Sequence, residues 1–150
     1  MDNSLPRLYL DTTIPSAYYN ERQRERQLFT QRIWHEKLSN YHLVISNITA
    51  KELGATKNRR RKNKLLALVR RIELCTQTPA CTALANEYLK FLSMPKYDAF
   101  HIANATVFGC EILLSWNFAH MVKLANQKKI NDINASTSYQ PLTIISPYQL

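Results

Sequence analysis

Short apolar runs alternate along this chain with longer stretches of helical spacing, and this pattern limits the available folds more than any other feature. Leu8-Tyr9-Leu10, Leu43-Val44-Ile45, Ile112-Leu113-Leu114 and Thr143-Ile144-Ile145 read as strands, each a β-branched or leucine-rich run. Leu28/Phe29, Ile33/Trp34 and Leu38 make the apolar stripe of one helix, while Leu65, Leu68, Val69 and Ile72 keep i, i+3, i+4, i+7 spacing on another. Cys81, Leu84, Ala85, Tyr88 and Leu92 repeat that spacing ahead of Pro95, which a helix interior would not accommodate. Ala99 to Val107 is apolar on nearly every side, as expected of a buried helix. Phe118, Met121, Val122 and Ala125 predict a last helix, closing on Lys128 and Lys129. Strands separated by helices pair in parallel through crossovers, and a parallel sheet needs cover on both faces. The expectation is an α/β fold: a three-layer α/β/α sandwich with a mainly parallel central sheet. With 150 residues, no internal repeat and no Pro/Gly-rich linker, a single domain over 1–150 is expected.

Several chemistries are excluded at once. The chain has two glycines, so it carries neither of the glycine-rich phosphate loops. Cys75, Cys81 and Cys110 are an odd set without CxxC spacing, which suits free thiols in a reducing compartment better than a disulfide scaffold or zinc site. His35, His42, His101 and His120 are scattered, with no HxH or HxxxH pair to hold zinc. His101, three positions after Asp98, is expected to be a packed core histidine. Met1 to Arg7 lacks the basic head and apolar stretch of a signal peptide, and no window reaches the ~18 uncharged apolar residues of a membrane span. A cytoplasmic location without membrane contact is expected.

Charge narrows the partner. Twenty Lys+Arg against eleven Asp+Glu give +9, an excess that attracts polyanions such as nucleic acid. It is clustered: Lys57, Arg59, Arg60, Arg61, Lys62 and Lys64 fall within one eight-residue run, with Arg70 and Arg71 close behind. The run is either a solvated helix start or a phosphate-binding patch.

Ligands of parallel sheets bind beyond the carboxyl ends of the strands. Asp11-Thr12-Thr13, Ser46-Asn47-Ile48-Thr49, Ser115-Trp116-Asn117 and Ser146-Pro147 occupy those positions here, with Glu52 a helical turn after Thr49. Asp2, Glu21, Glu25, Glu36, Glu73, Glu87, Glu111 and Asp132 read as surface charges. Asp11 directly follows an apolar strand and should be partly exposed. Asp98 opens the most apolar helix, where a helix cap is its alternative role, and Glu52 is also compatible with an ordinary exposed pair with Lys51. Three hard oxygen ligands at one sheet edge would suit Mg²⁺ or Mn²⁺, and in a basic protein that points to phosphodiester hydrolysis.

Four ordered segments carry a family resemblance that spans essentially the whole chain. Arg7 to Tyr18, with Leu10-Asp11-Thr12, resembles the opening motif of PIN-domain nucleases. Val44-Ile45-Ser46-Asn47-Ile48-Thr49-Ala50-Lys51-Glu52-Leu53 is similar to their second motif, and Tyr97-Asp98-Ala99-Phe100-His101-Ile102-Ala103 to the start of their acidic helix. Cys110 to His120, with Leu114-Ser115-Trp116-Asn117-Phe118, resembles the last. The resemblance implies a PIN-like fold and a metal-dependent ribonuclease, most such proteins being VapC-type toxins of toxin–antitoxin pairs. By position, Asp11, Glu52 and Asp98 would hold Mg²⁺ or Mn²⁺, with Thr12, Ser46 and Thr49 as supporting polar residues. Asn117 stands where the family has a fourth acidic residue and would complete the catalytic set without adding charge. Water would attack phosphorus in line, leaving 5′-phosphate and 3′-hydroxyl ends. The partners implied are single-stranded RNA, gripped by Lys57, Arg59, Arg60, Arg61, Lys62 and Lys64, and a cognate antitoxin, with homodimerisation open. Asn117 also favours a rival, a catalytically weak nucleic-acid-binding or regulatory module of the same fold. Action on DNA or as a phosphatase is a third reading.

Overall fold

A computed structural model describes residues 4–150; Asp2, expected at the surface, lies outside them. Its core is a five-stranded, all-parallel sheet in the order β3-β2-β1-β4-β5. The strands are β1 (Arg7–Leu10), β2 (His42–Ser46), β3 (Glu73–Cys75), β4 (Ile112–Leu114) and β5 (Thr143–Ile145). The chain winds outward from β1 to β3, then crosses back to β4 and β5, so the direction of winding reverses between β1 and β4.

The helices are α1 (Thr13–Tyr18), α2 (Arg24–Glu36), α3 (Asn47–Gly54), α4 (Arg59–Val69), α5 (Pro79–Phe91), α6 (Lys96–Val107) and α7 (Leu124–Ser136). Side chains alternate across a strand, and that period sorts the core into two layers. Leu8, Leu10, Ile45 and Leu114 pack with Ile14, Ile33, Leu65 and Val69 on the face covered by α1, α2 and α4. Tyr9, Val44, Leu113 and Ile144 pack with Tyr88, Ile102, Ala103 and Ile130 on the face covered by α5, α6 and α7. The expected three-layer α/β/α sandwich is present, and no helix among the described residues is long and apolar enough to cross a membrane.

Four differences from the sequence-based expectation have physical causes. Strand β3 was not expected, because three residues with an exposed Glu73 and Leu74 carry no buried run; β2 supplies its ladder. Leu28 points to solvent, and Leu38 lies in a separate 3₁₀ turn. Phe118 to Lys123 is a loop rather than a helix. Lys123 is extended, so α7 starts at Leu124 and places Lys128 and Lys129 mid-helix. Asp98 is not the cap of α6: the N-cap is Pro95, and the Asp98 side chain bonds elsewhere.

Candidate active site

The same alternation builds a polar edge. Tyr9 pairs in register with Val44 and Leu113, all on the α6 side of the sheet. Two residues further along each strand stand Asp11, Ser46 and Ser115, at the carboxyl ends of β1, β2 and β4. Asp11 and Ser115 therefore flank the point where the winding reverses, the usual ligand crevice of an open parallel sheet.

Asp11 is 2% exposed, more buried than its sequence context suggested, and its carboxylate is enclosed by Thr13 and Ser115. Its Oδ1 accepts from the Thr13 backbone N–H (3.0 Å) and the Thr13 hydroxyl, and its Oδ2 accepts from Ser115 Oγ at 2.5 Å. The turn after β4 orients both hydroxyls. Trp116 N–H donates to Thr13 Oγ1 and Asn117 N–H to Ser115 Oγ, each at 2.9 Å, leaving the hydroxyl protons to point at Asp11. Burial pushes the Asp11 carboxyl up, against the nearby His101 and these hydrogen bonds.

Asp98, on the first turn of α6, accepts at Oδ2 from Asn117 Nδ2 at 3.1 Å. The Asn117 carbonyl oxygen is occupied by the His120 N–H at 3.1 Å, so the amide presents its donor to the carboxylate. Burial raises the Asp98 carboxyl too; His120, His101 and the Asn117 bond oppose it, and the charge of Glu52 adds to the rise. Glu52, near the end of α3, is more than an exposed pair with Lys51. Its Oε1 accepts from Thr12 Oγ1 at 3.0 Å and lies 2.7 Å from His101 Nε2. Burial raises Glu52, but the bonds from His101 and Thr12 together outweigh it and hold the carboxyl below its usual range.

Asp11, Thr12, Glu52, Asp98, Asn117 and Ser46 are thus joined in one polar region. Ser46 caps α3 by accepting from Ile48 N–H at 3.2 Å and also meets the Tyr9 hydroxyl at 2.8 Å. Thr49 is buried behind the site, and its hydroxyl has no partner in hydrogen-bond geometry among the described residues. Sequence reasoning placed Ser115 at this edge without giving it a role, and missed the roles of Tyr9 and His101. Tyr9 and His101 looked like core.

Two further features lie outside this hydrogen-bond network. A groove of about 1160 Å³ between α3, α5 and α6 borders Glu52 and is lined also by Lys51, Gln77, Asn86, Lys96 and Tyr97. The basic run begins just before α4 and fills its first turns; Lys57, Arg59, Arg60 and Lys64 are exposed and Lys62 is half-buried. Arg61 is turned inward: its guanidinium donates to the Ser16 and Tyr19 carbonyls at 3.2 Å each, fastening α4 to α1.

The three carboxylates are hard oxygen donors. The buried Asp11 and half-buried Asp98 are both pushed up by burial, a donor set short of positive charge that suits a divalent cation. Among the described residues no three His, Cys, Asp or Glu side chains are already gathered as a metal-holding group; hydroxyls, an imidazole and an amide hold them instead.

Comparison with protein-family models gave no match, and neither did comparison with curated proteins. Solved structures are similar. VapBC-1 from nontypeable Haemophilus influenzae aligns with a TM-score of 0.62 at 17% identity, over 95% of this chain and 98% of that one. VapBC2 from Rickettsia felis, bound to a DNA fragment from their promoter, aligns at 0.61 and 17%, over 93% and 98%. The Mycobacterium tuberculosis VapC20, described as a Sarcin-Ricin loop cleaving toxin, aligns at 0.55 and 17%, over 71% and 86%. The chain has the PIN-like fold of these VapC proteins.

Proposed function

We propose that this chain is a metal-dependent endoribonuclease of single-stranded RNA and the toxin of a toxin–antitoxin pair. One observation carries the reading: Asp11 stands at the winding reversal of a parallel sheet, Asp98 is linked to it through Asn117 and Ser115, and Glu52 is tied to the same edge by Thr12 and His101, in a chain whose net charge is +9. A pure phosphate binder gains nothing from carboxylates facing its ligand. Mg²⁺ or Mn²⁺ would be held by Asp11, Asp98 and, directly or through water, Glu52. Bound there, the ion supplies Lewis acidity to the scissile phosphate and offsets the charge that builds on its oxygens.

The chain's own groups do the rest. Thr13 and Ser115 keep Asp11 oriented by hydrogen bonds fixed from the β4 turn. Asn117 holds Asp98 through its amide. Lys51 and Lys96 in the groove, with the exposed Lys57, Arg59, Arg60 and Lys64 and the half-buried Lys62, attract the RNA backbone. The inward Arg61 bonds leave it a smaller part in that grip than the sequence suggested. The VapBC neighbours support a cognate antitoxin; a cytoplasmic setting and a homodimer are part of the proposal.

The neutral donor of Asn117 facing Asp98 favours a second reading, a catalytically weak RNA-binding module. One assay separates the two. Single-stranded RNA is incubated with Mn²⁺ and the wild-type or Asp98→Asn chain, with the melting temperature recorded alongside. Metal-dependent cleavage that falls at least 100-fold in Asp98→Asn at an unchanged melting temperature supports the enzyme. Wild-type turnover in that variant contradicts it, and salt-sensitive binding without cleavage in either protein establishes the second reading.

A further inference from the structure

We propose that Tyr9 and His101 are positioning residues, a directed hydrogen-bond chain that holds Glu52 in one orientation with a single oxygen left for the reaction. The inference rests on the ribonuclease reading for what Glu52 does, and on the geometry alone for how it is held.

The direction of the chain follows from its buried end. Ser46 Oγ already accepts the Ile48 N–H at 3.2 Å, so its own proton is free to go to the Tyr9 oxygen, 2.8 Å away. Tyr9 is completely buried in the central strand, and a phenol hydroxyl carries its proton at neutral pH. It therefore remains a donor, and the atom in front of it is His101 Nδ1 at 2.6 Å. An Nδ1 that accepts leaves the ring proton on Nε2, and Nε2 lies 2.7 Å from Glu52 Oε1. The edge-on packing of the two rings, with centroids 5.7 Å apart, fixes the imidazole plane.

Ser46, Tyr9 and His101 each accept one hydrogen bond and donate one in this direction, and Glu52 accepts at the end. Thr12 Oγ1 donates to the same carboxylate oxygen at 3.0 Å. Oε1 of Glu52 is consequently held from two sides, while Oε2 has no hydrogen bond among the described residues. A histidine kept only for packing could satisfy its nitrogens within the core. Here one bond enters the core at Tyr9, and the other leaves it and ends on a carboxylate of the site. Partners that orient a metal-binding carboxylate change affinity or activity by about 10–100-fold when removed.

The test uses Tyr9→Phe, His101→Ala, His101→Gln and Glu52→Gln beside the wild type. Three readouts are needed: the His101 tautomer by long-range ¹⁵N NMR, Mn²⁺ affinity by calorimetry, and kcat and KM on single-stranded RNA. The wild type should show the Nε2–H tautomer, and Glu52→Gln should move that resonance. Tyr9→Phe should give mixed tautomers. His101→Ala should lower Mn²⁺ affinity and kcat by about tenfold or more at nearly constant KM. His101→Gln, whose amide can still donate to Glu52, should recover most of that loss.

An Nδ1–H tautomer in the wild type overturns the proposal. So does His101→Ala with wild-type affinity and kcat, or His101→Gln as impaired as His101→Ala. A wild type that neither binds Mn²⁺ nor cleaves RNA sinks the ribonuclease reading instead. The NMR readout then decides positioning alone, and an Nε2–H resonance unmoved by Glu52→Gln overturns it.

Discussion

Replacing Asn117 by Asp exchanges the amide donor facing Asp98 for a second carboxylate, and the outcome can be worked from one distance. Asn117 Nδ2 and Asp98 Oδ2 are 3.1 Å apart. Two unit charges at that separation repel by about 5 kcal/mol at an effective dielectric near 20. The pair can escape by keeping one proton. At pH 7, about three units above an ordinary carboxyl, that costs about 4 kcal/mol and caps the penalty. The His120 N–H keeps its acceptor, since an Asp oxygen serves as well as the amide oxygen. A net loss of about 2–4 kcal/mol follows in chelator, a fall in melting temperature of roughly 5–15 °C for a chain of this size. The sign with pH is fixed. The native pair's pKa is raised above its unfolded value, so the deficit is small near pH 4–5 and grows as pH rises through the native value. Divalent metal offsets part of the deficit: a tenfold gain in affinity adds about 1.4 kcal/mol to the stabilisation by Mn²⁺. Melting curves of both proteins at pH 5 and 7.5, in chelator and in Mn²⁺, decide the matter. Equal melting temperatures in chelator, or equal shifts on adding metal, would refute the reasoning.

Replacing Arg59 and Arg60 by Ala should lower the log–log salt slope of single-strand binding by about 0.7 for each phosphate contact removed, alike for unrelated RNA sequences; filter binding across a salt series measures it. Arg61→Ala should act on stability instead, costing about 1–2 kcal/mol in urea unfolding through the lost Ser16 and Tyr19 carbonyl bonds. Tyr88→Phe leaves the buried Asn134 Oδ1 without the hydroxyl that donates to it and should cost about 1–3 kcal/mol by the same measurement.

The strands that carry the site were legible because a parallel strand buried on both faces reads as an unbroken apolar run. β1, β2 and β4 are such strands, and the residues at or just beyond their ends, Asp11, Ser46 and Asn117, could be placed at one edge from the sequence. β3 was not legible, since an edge strand three residues long needs no apolar run when β2 supplies its hydrogen bonds. The last helix was misplaced because Met121 and Val122 are covered by tertiary packing, which gives a loop the apolar spacing of a helix face. Asp98 and Glu52 were found as carboxylates, but what holds them was not. Tyr9 and His101 are 92 residues apart and Glu52 and His101 49, and each looks like core on its own segment. Only the sheet register and the seat of α6 bring their polar atoms together.

A crystal of the wild-type chain soaked in millimolar Mn²⁺ and measured at the manganese absorption edge tests the ribonuclease account most directly. The account predicts an anomalous peak within direct ligand distance of the Asp11 and Asp98 carboxylate oxygens, with Glu52 Oε2 facing it, and loss of that peak in Asp98→Asn. No peak at this edge of the sheet, or a peak bound equally well by Asp98→Asn, would contradict it.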